Sequence, residues 1–141
     1  MPDQRRLEIA LFILRLSTGA FLVAWTSLKF FRPEWMVNIF HNVYGQAWAT
    51  QDLSYVIGGI QALLVLAFLA GFARTFTYGL VTIMHATGVI GSIPGLINFT
   101  KYPNNLMWAA VAALGALVAL FILRKWDNLF SISGVKNRRE V

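Results

Sequence analysis

Arg15, Thr18, Thr26 and Lys29 lie in ALFILRLSTGAFLVAWTSLKFF, residues 10–31, an otherwise almost wholly apolar stretch. On a helix, about 100° per residue places Thr18, Leu22, Thr26 and Lys29 within about 60° of Arg15. Together they form a polar stripe, interrupted by Leu22. Arg15 brings a planar fork of donors, and the two threonines bring hydroxyls. Two other isolated polar groups stand out in apolar surroundings: Gln61 in IGGIQALLV and His85 in TIMHATGVIGSIPG. An arginine, an amide and an imidazole can jointly hold a carbonyl, a phenolic oxygen or a phosphate. Lys29 and Arg32, at the far end of the same segment, suit anionic headgroups. Structural roles are open for each: snorkelling to headgroups for Arg15 and Lys29, interhelical hydrogen bonding for Gln61 and His85.

These groups need elements that hold them away from lipid. The chain has 141 residues, enough for a single domain, of which 57% are hydrophobic and only 13% charged. A soluble fold of this length could not hide so much apolar surface. There is no cysteine, so disulfides, thiol chemistry and cysteine-ligated metals are excluded, and no metal-ligand cluster stands in the sequence. Four apolar spans are expected, at about residues 7–31, 53–72, 76–97 and 106–123. Each is near the ~20 residues needed to cross a bilayer as a helix. The alternating pattern of a barrel is missing. Residues 124–141 read as a basic tail. Between the first two spans, FRPEWMVNIFHNVYGQAWATQD starts with a proline at a plausible first helical position and repeats Met36, Phe40, Val43, Tyr44 and Ala47 at helical spacing. That predicts a short interfacial amphipathic helix. The fold expectation is therefore all-α: a transmembrane four-helix bundle, one integral membrane domain over 1–141.

Lysines and arginines orient it. With four spans, the N-terminus, the Ala73–Thr75 turn and the tail share one side and hold eight of the twelve, while Lys29, Arg32 and Lys101 lie on the other. The asymmetry predicts a multi-pass protein of the cell (inner) membrane with both termini cytoplasmic. No Asp or Glu lies within the four spans apart from Glu8 near the start of the first, two turns before Arg15 and its expected partner at the boundary. Arg15, Gln61 and His85 lie at similar depth by helical rise, so a shared interior pocket is expected.

Three stretches carry a resemblance. LRLSTGAFLVAWTSLKF has an arginine, a glycine four residues later and a lysine near its end. IGGIQALLVLAFLAGFARTFTYGLVTIMHATG joins a glycine-rich entry, a glycine-plus-arginine turn and a long following helix. NNLMWAAVAALGALVALFILRKWDNLFSI closes on a basic–aromatic–Asp–Leu pattern. In order and spacing the chain resembles the DoxX-like (DoxX/DoxD) family of small four-helix integral membrane proteins, over about residues 7–132. Where many relatives carry a glutamate after the glycine pair, this chain has Gln61. The resemblance implies a small subunit or accessory of a quinone- or quinol-linked membrane oxidoreductase, with no intrinsic cofactor. Arg15, Thr18, Thr26, Gln61 and His85 would then line a pocket for a quinone head, with Phe21 or Trp25 against its ring. The alternative is a non-catalytic lipid-binding or assembly factor, with membrane lipids as partners. Neither reading calls for nucleic acid.

Overall fold

Long runs of Leu, Ala, Val, Ile and Phe, broken by few glycines, leave the helix as the only way to satisfy the backbone locally. A computed structural model describes residues 2–139. It is helical, with no strand among the described residues. The elements are α1 (Asp3–Phe31), α2 (Pro33–Asn42), α3 (Gln51–Leu69), α4 (Arg74–Gly91), α5 (Ile93–Ile97), a 3-10 turn (Asn104–Met107), α6 (Trp108–Ile122) and α7 (Ile132–Arg139). Three stretches are long and apolar enough to cross a membrane: α1, α3 and Asn104–Ile122.

α1 packs against α3 and α6, and α4 packs against α3 and α6. α1 and α3 run antiparallel at close range. A Cβ on Gly19 would overlap Leu69, and one on Gly58 would meet the Lys29 and Phe30 side chains. At the same contact the Ser54 hydroxyl donates to the Lys29 carbonyl at 3.0 Å. The core joins Leu11 and Leu22 of α1, Val65 and Phe68 of α3, Tyr78 and Val81 of α4, and Leu117 and Leu120 of α6. Large aliphatics face outward: Ile13, Leu16, Ile60, Leu63, Ile83 and Ile122 are all more than half exposed. Arg15 and Asp127, by contrast, are at most 1% exposed. That inverts the soluble pattern and is what a lipid solvent favours.

The expected helix after Arg32 forms, with Pro33 in its first turn, and ends at Asn42, before Val43, Tyr44 and Ala47. It packs on α1 and α3. The expected third span, 76–97, is divided. α4 ends at Gly91 and α5 restarts at Ile93 with Pro94 in its first turn. Pro94 has no amide hydrogen to continue the α4 ladder.

The largest departure is at the C-terminus. Residues 124–141 read as a tail, yet Asp127, Ser131 and Gly134 are buried. The Ile132 amide donates to the Ala70 carbonyl at 2.9 Å and the Ser133 amide to the Gly71 carbonyl at 3.2 Å. This segment thus returns to the α3–α4 turn and is stitched there by backbone hydrogen bonds. Residues 140–141 of the expected tail, and the side chains of 137–139, lie outside the described residues.

Candidate functional site

The buried polar centre is built where this returning segment meets α1 and α4. Arg15 sits roughly three turns into α1, and Tyr78 about one turn into α4. Arg15 Nη1 lies 2.8 Å from Asp127 Oδ2 and donates to the Tyr78 hydroxyl at 3.3 Å. The Tyr78 hydroxyl donates to the same carboxylate oxygen at 2.6 Å. Arg15 Nη2 donates to the carbonyls of Leu129 at 2.7 Å and Phe130 at 2.9 Å. Arg74, 8% exposed, reaches in from the first turn of α4. Its Nη1 donates to the Asp127 carbonyl at 2.6 Å and to Asn128 Oδ1 at 3.1 Å. Asp127 Oδ1 accepts no hydrogen bond from the described residues.

Local backbone conformations serve this geometry. Phe130 holds φ at 48°, a left-handed value uncommon for a non-glycine residue, and its carbonyl is one of the two turned onto Arg15. Gly71 has φ of 63°. A Cβ there would overlap the Ser131 hydroxyl and meet Arg15 Nη1, so glycine answers both the turn and the close approach. Ser131 Oγ donates to the Gly71 carbonyl at 3.1 Å and accepts from the Gly134 amide at 3.3 Å.

The other residues singled out from the sequence are placed separately. Thr18 is buried beside Arg15, its hydroxyl donating to the Leu14 carbonyl at 2.6 Å. Thr26 is buried further along α1. Gln61 is half-buried in α3 and takes part in no side-chain hydrogen bond among the described residues. His85 lies about two turns beyond Tyr78 on α4. Its Nε2 lies 2.8 Å from the Ala110 carbonyl, and Phe21 meets its ring edge-on at 5.5 Å. A carbonyl only accepts, so Nε2 carries the proton there. Buried Val81 lies between Tyr78 and His85 on α4. Arg15 and His85 thus take different hydrogen-bond partners, and Arg15 bonds directly to neither Gln61 nor His85 among the described residues. Lys29 is half-buried, and Arg32 lies 3.8 Å from Glu34. Glu8 pairs with Arg5 at 3.5 Å, not with Arg15.

The partner of Arg15, Asp127, lies outside the four apolar stretches, where hydropathy does not point to it. Its signal was nevertheless present in KWDNLF, an aspartate set between Trp126 and Leu129 in an otherwise basic stretch. Among the described residues no group of three or more His, Cys, Asp or Glu side chains is placed to hold a metal ion. Comparisons with protein-family models, curated proteins and solved structures gave no match.

Proposed function

We propose that the chain is a DoxX-like membrane protein in which α1, α3, α4 and the Asn104–Ile122 helix form a four-span bundle, and that it serves as a non-catalytic accessory of a membrane complex. The observation that carries this reading is the satisfaction of Arg15 within the chain. Both terminal nitrogens of its guanidinium are engaged by Asp127, Tyr78 and two carbonyls of the returning segment. The most deeply buried cation therefore acts as a fastener of the fold, with its fork already filled. The amphipathic α2 would lie at the outer interface, and the outward aliphatic faces would meet lipid or a partner subunit.

A quinone-linked role is the second reading, and one observation favours it. With Nε2 of His85 donating to Ala110, the Nδ1 of a neutral ring is an acceptor, and Phe21 stands edge-on beside it. A quinol hydroxyl could donate there. Titration of the purified protein in lipid nanodiscs with a short-chain soluble quinone separates the two. The accessory reading expects no saturable binding. Saturable binding that His85→Ala abolishes would overturn it in favour of the quinol site.

A further inference from the structure

The end of the molecule that carries Arg15 and Asp127 also carries an open groove of about 340 Å³, lined by Arg74, Thr75, Phe76, Arg124, Lys125 and Ser133. Three lining side chains are cations, two offer hydroxyls, and none of the lining residues is acidic. The cations come from two elements: Arg74 opens α4, while Arg124 and Lys125 follow the end of α6. None of the three forms an ion pair with a carboxylate among the described residues. Arg74 donates through Nη1 alone, and Arg124 through Nε to the Thr75 hydroxyl at 3.0 Å and through Nη1 to the Phe121 carbonyl at 2.7 Å. The Nη2 group of each arginine has no hydrogen-bond partner among the described residues, and neither has the Lys125 ammonium. The buried Asp127 carboxylate near Arg74 is already paired with Arg15, so the three converging cations still repel one another, and an anion between them relieves that repulsion.

We propose that this groove binds the phosphate head of an anionic phospholipid. The phosphate follows from the donor set, since guanidinium forks and an ammonium match its oxygens. The lipid source follows from the groove's apolar rim. Phe76 lines it and is 65% exposed, so its ring offers acyl chains an apolar surface beside the cations. The site is separate from Lys29 and Arg32, which lie at the opposite end of α1. It rests on the membrane-spanning reading above and not on the accessory role.

The test uses the full-length protein in detergent, with native mass spectrometry reading lipid retention after addition of dioleoyl phosphatidic acid or dioleoyl phosphatidylcholine. Phosphatidic acid should be retained about tenfold more than phosphatidylcholine, and Arg124→Gln with Lys125→Gln should remove most of that preference. Lys125→Gln alone, at an exposed side chain without a hydrogen bond, should lower it several-fold while leaving the melting temperature unchanged. Inorganic phosphate should compete only at far higher concentration. Equal retention of the two lipids, or a preference untouched by Lys125→Gln, overturns the site. Competition by inorganic phosphate as strong as by phosphatidic acid overturns the lipid as its occupant. Loss of the site would leave the quinone titration result unaffected, so the two readings fail independently.

Discussion

Arg15 has four acceptors, and three come from residues 127–130: the Asp127 carboxylate and the carbonyls of Leu129 and Phe130. Desolvating a guanidinium and a carboxylate is expensive, so such a pair contributes little net stability over a well-packed apolar alternative. Removing one partner is another matter, because the remaining charge is left buried and unmatched. Arg15→Leu should therefore lower unfolding free energy by about 3–5 kcal/mol, read from denaturant or thermal unfolding in detergent. Tyr78→Phe removes two hydrogen bonds to charged groups, one donated to Asp127 and a longer one accepted from Arg15, and should cost at least about 1.5–3 kcal/mol. Arg15→Lys should fall between wild type and Arg15→Leu, since an ammonium keeps the charge but cannot reach both the carboxylate and the two carbonyls in one plane. An Arg15→Leu protein as stable as wild type would mean that the pair carries no weight.

The α3–α4 turn and the segment after α6 form a single structural unit. Gly71 supplies a left-handed residue, room for the Ser131 hydroxyl and passage for Arg15 Nη1. Gly71→Ala should destabilise by more than 1 kcal/mol, roughly, through both strain and overlap. Gly59→Ala makes the control. Nothing lies within 4 Å of a Cβ there, and in the middle of α3 the substitution should be neutral or stabilising by up to about 1 kcal/mol. Equal effects at the two glycines would contradict this account of the turn. Helical periodicity is why so much of the fold could be read in advance. Hydrophobic runs marked the long helices, Pro33 marked the start of α2, and the stripe containing Arg15 and Thr18 marked an inward face. Periodicity says nothing about a non-helical return such as Asp127–Ser131. Its pairing with Arg15 is set by a turn, a left-handed Phe130 and contacts between residues more than a hundred positions apart. For the same reason depth alone does not give the hydrogen-bond partners of the polar residues. Arg15, Gln61 and His85 are comparable in depth by counting turns, but which neighbour each meets depends on how the helices are rotated in the packing.

Across the whole molecule, the contacts of the C-terminal segment place the N-terminal half of α1, the α3–α4 turn and residues 127–134 at one end. The proposed four spans, an even number, would need this arrangement, and Arg5, Arg6, Arg74, Arg124 and Lys125 belong to the segments near that end. Reporter fusions at the N-terminus and at Val141 should both report the cytoplasm; a periplasmically active reporter at Val141 would refute the orientation. The same contacts make global stability depend on a latch between the first helix and the end of the chain. The most direct measurement of that latch is a double-mutant cycle in detergent-solubilised protein, comparing Arg15→Leu, Asp127→Leu and the double variant with wild type. The latch predicts that the two single variants are each strongly destabilised and that the double variant recovers much of the loss, with a coupling energy of at least about 1.5 kcal/mol. Additive losses, with coupling within about 0.5 kcal/mol of zero, would contradict it.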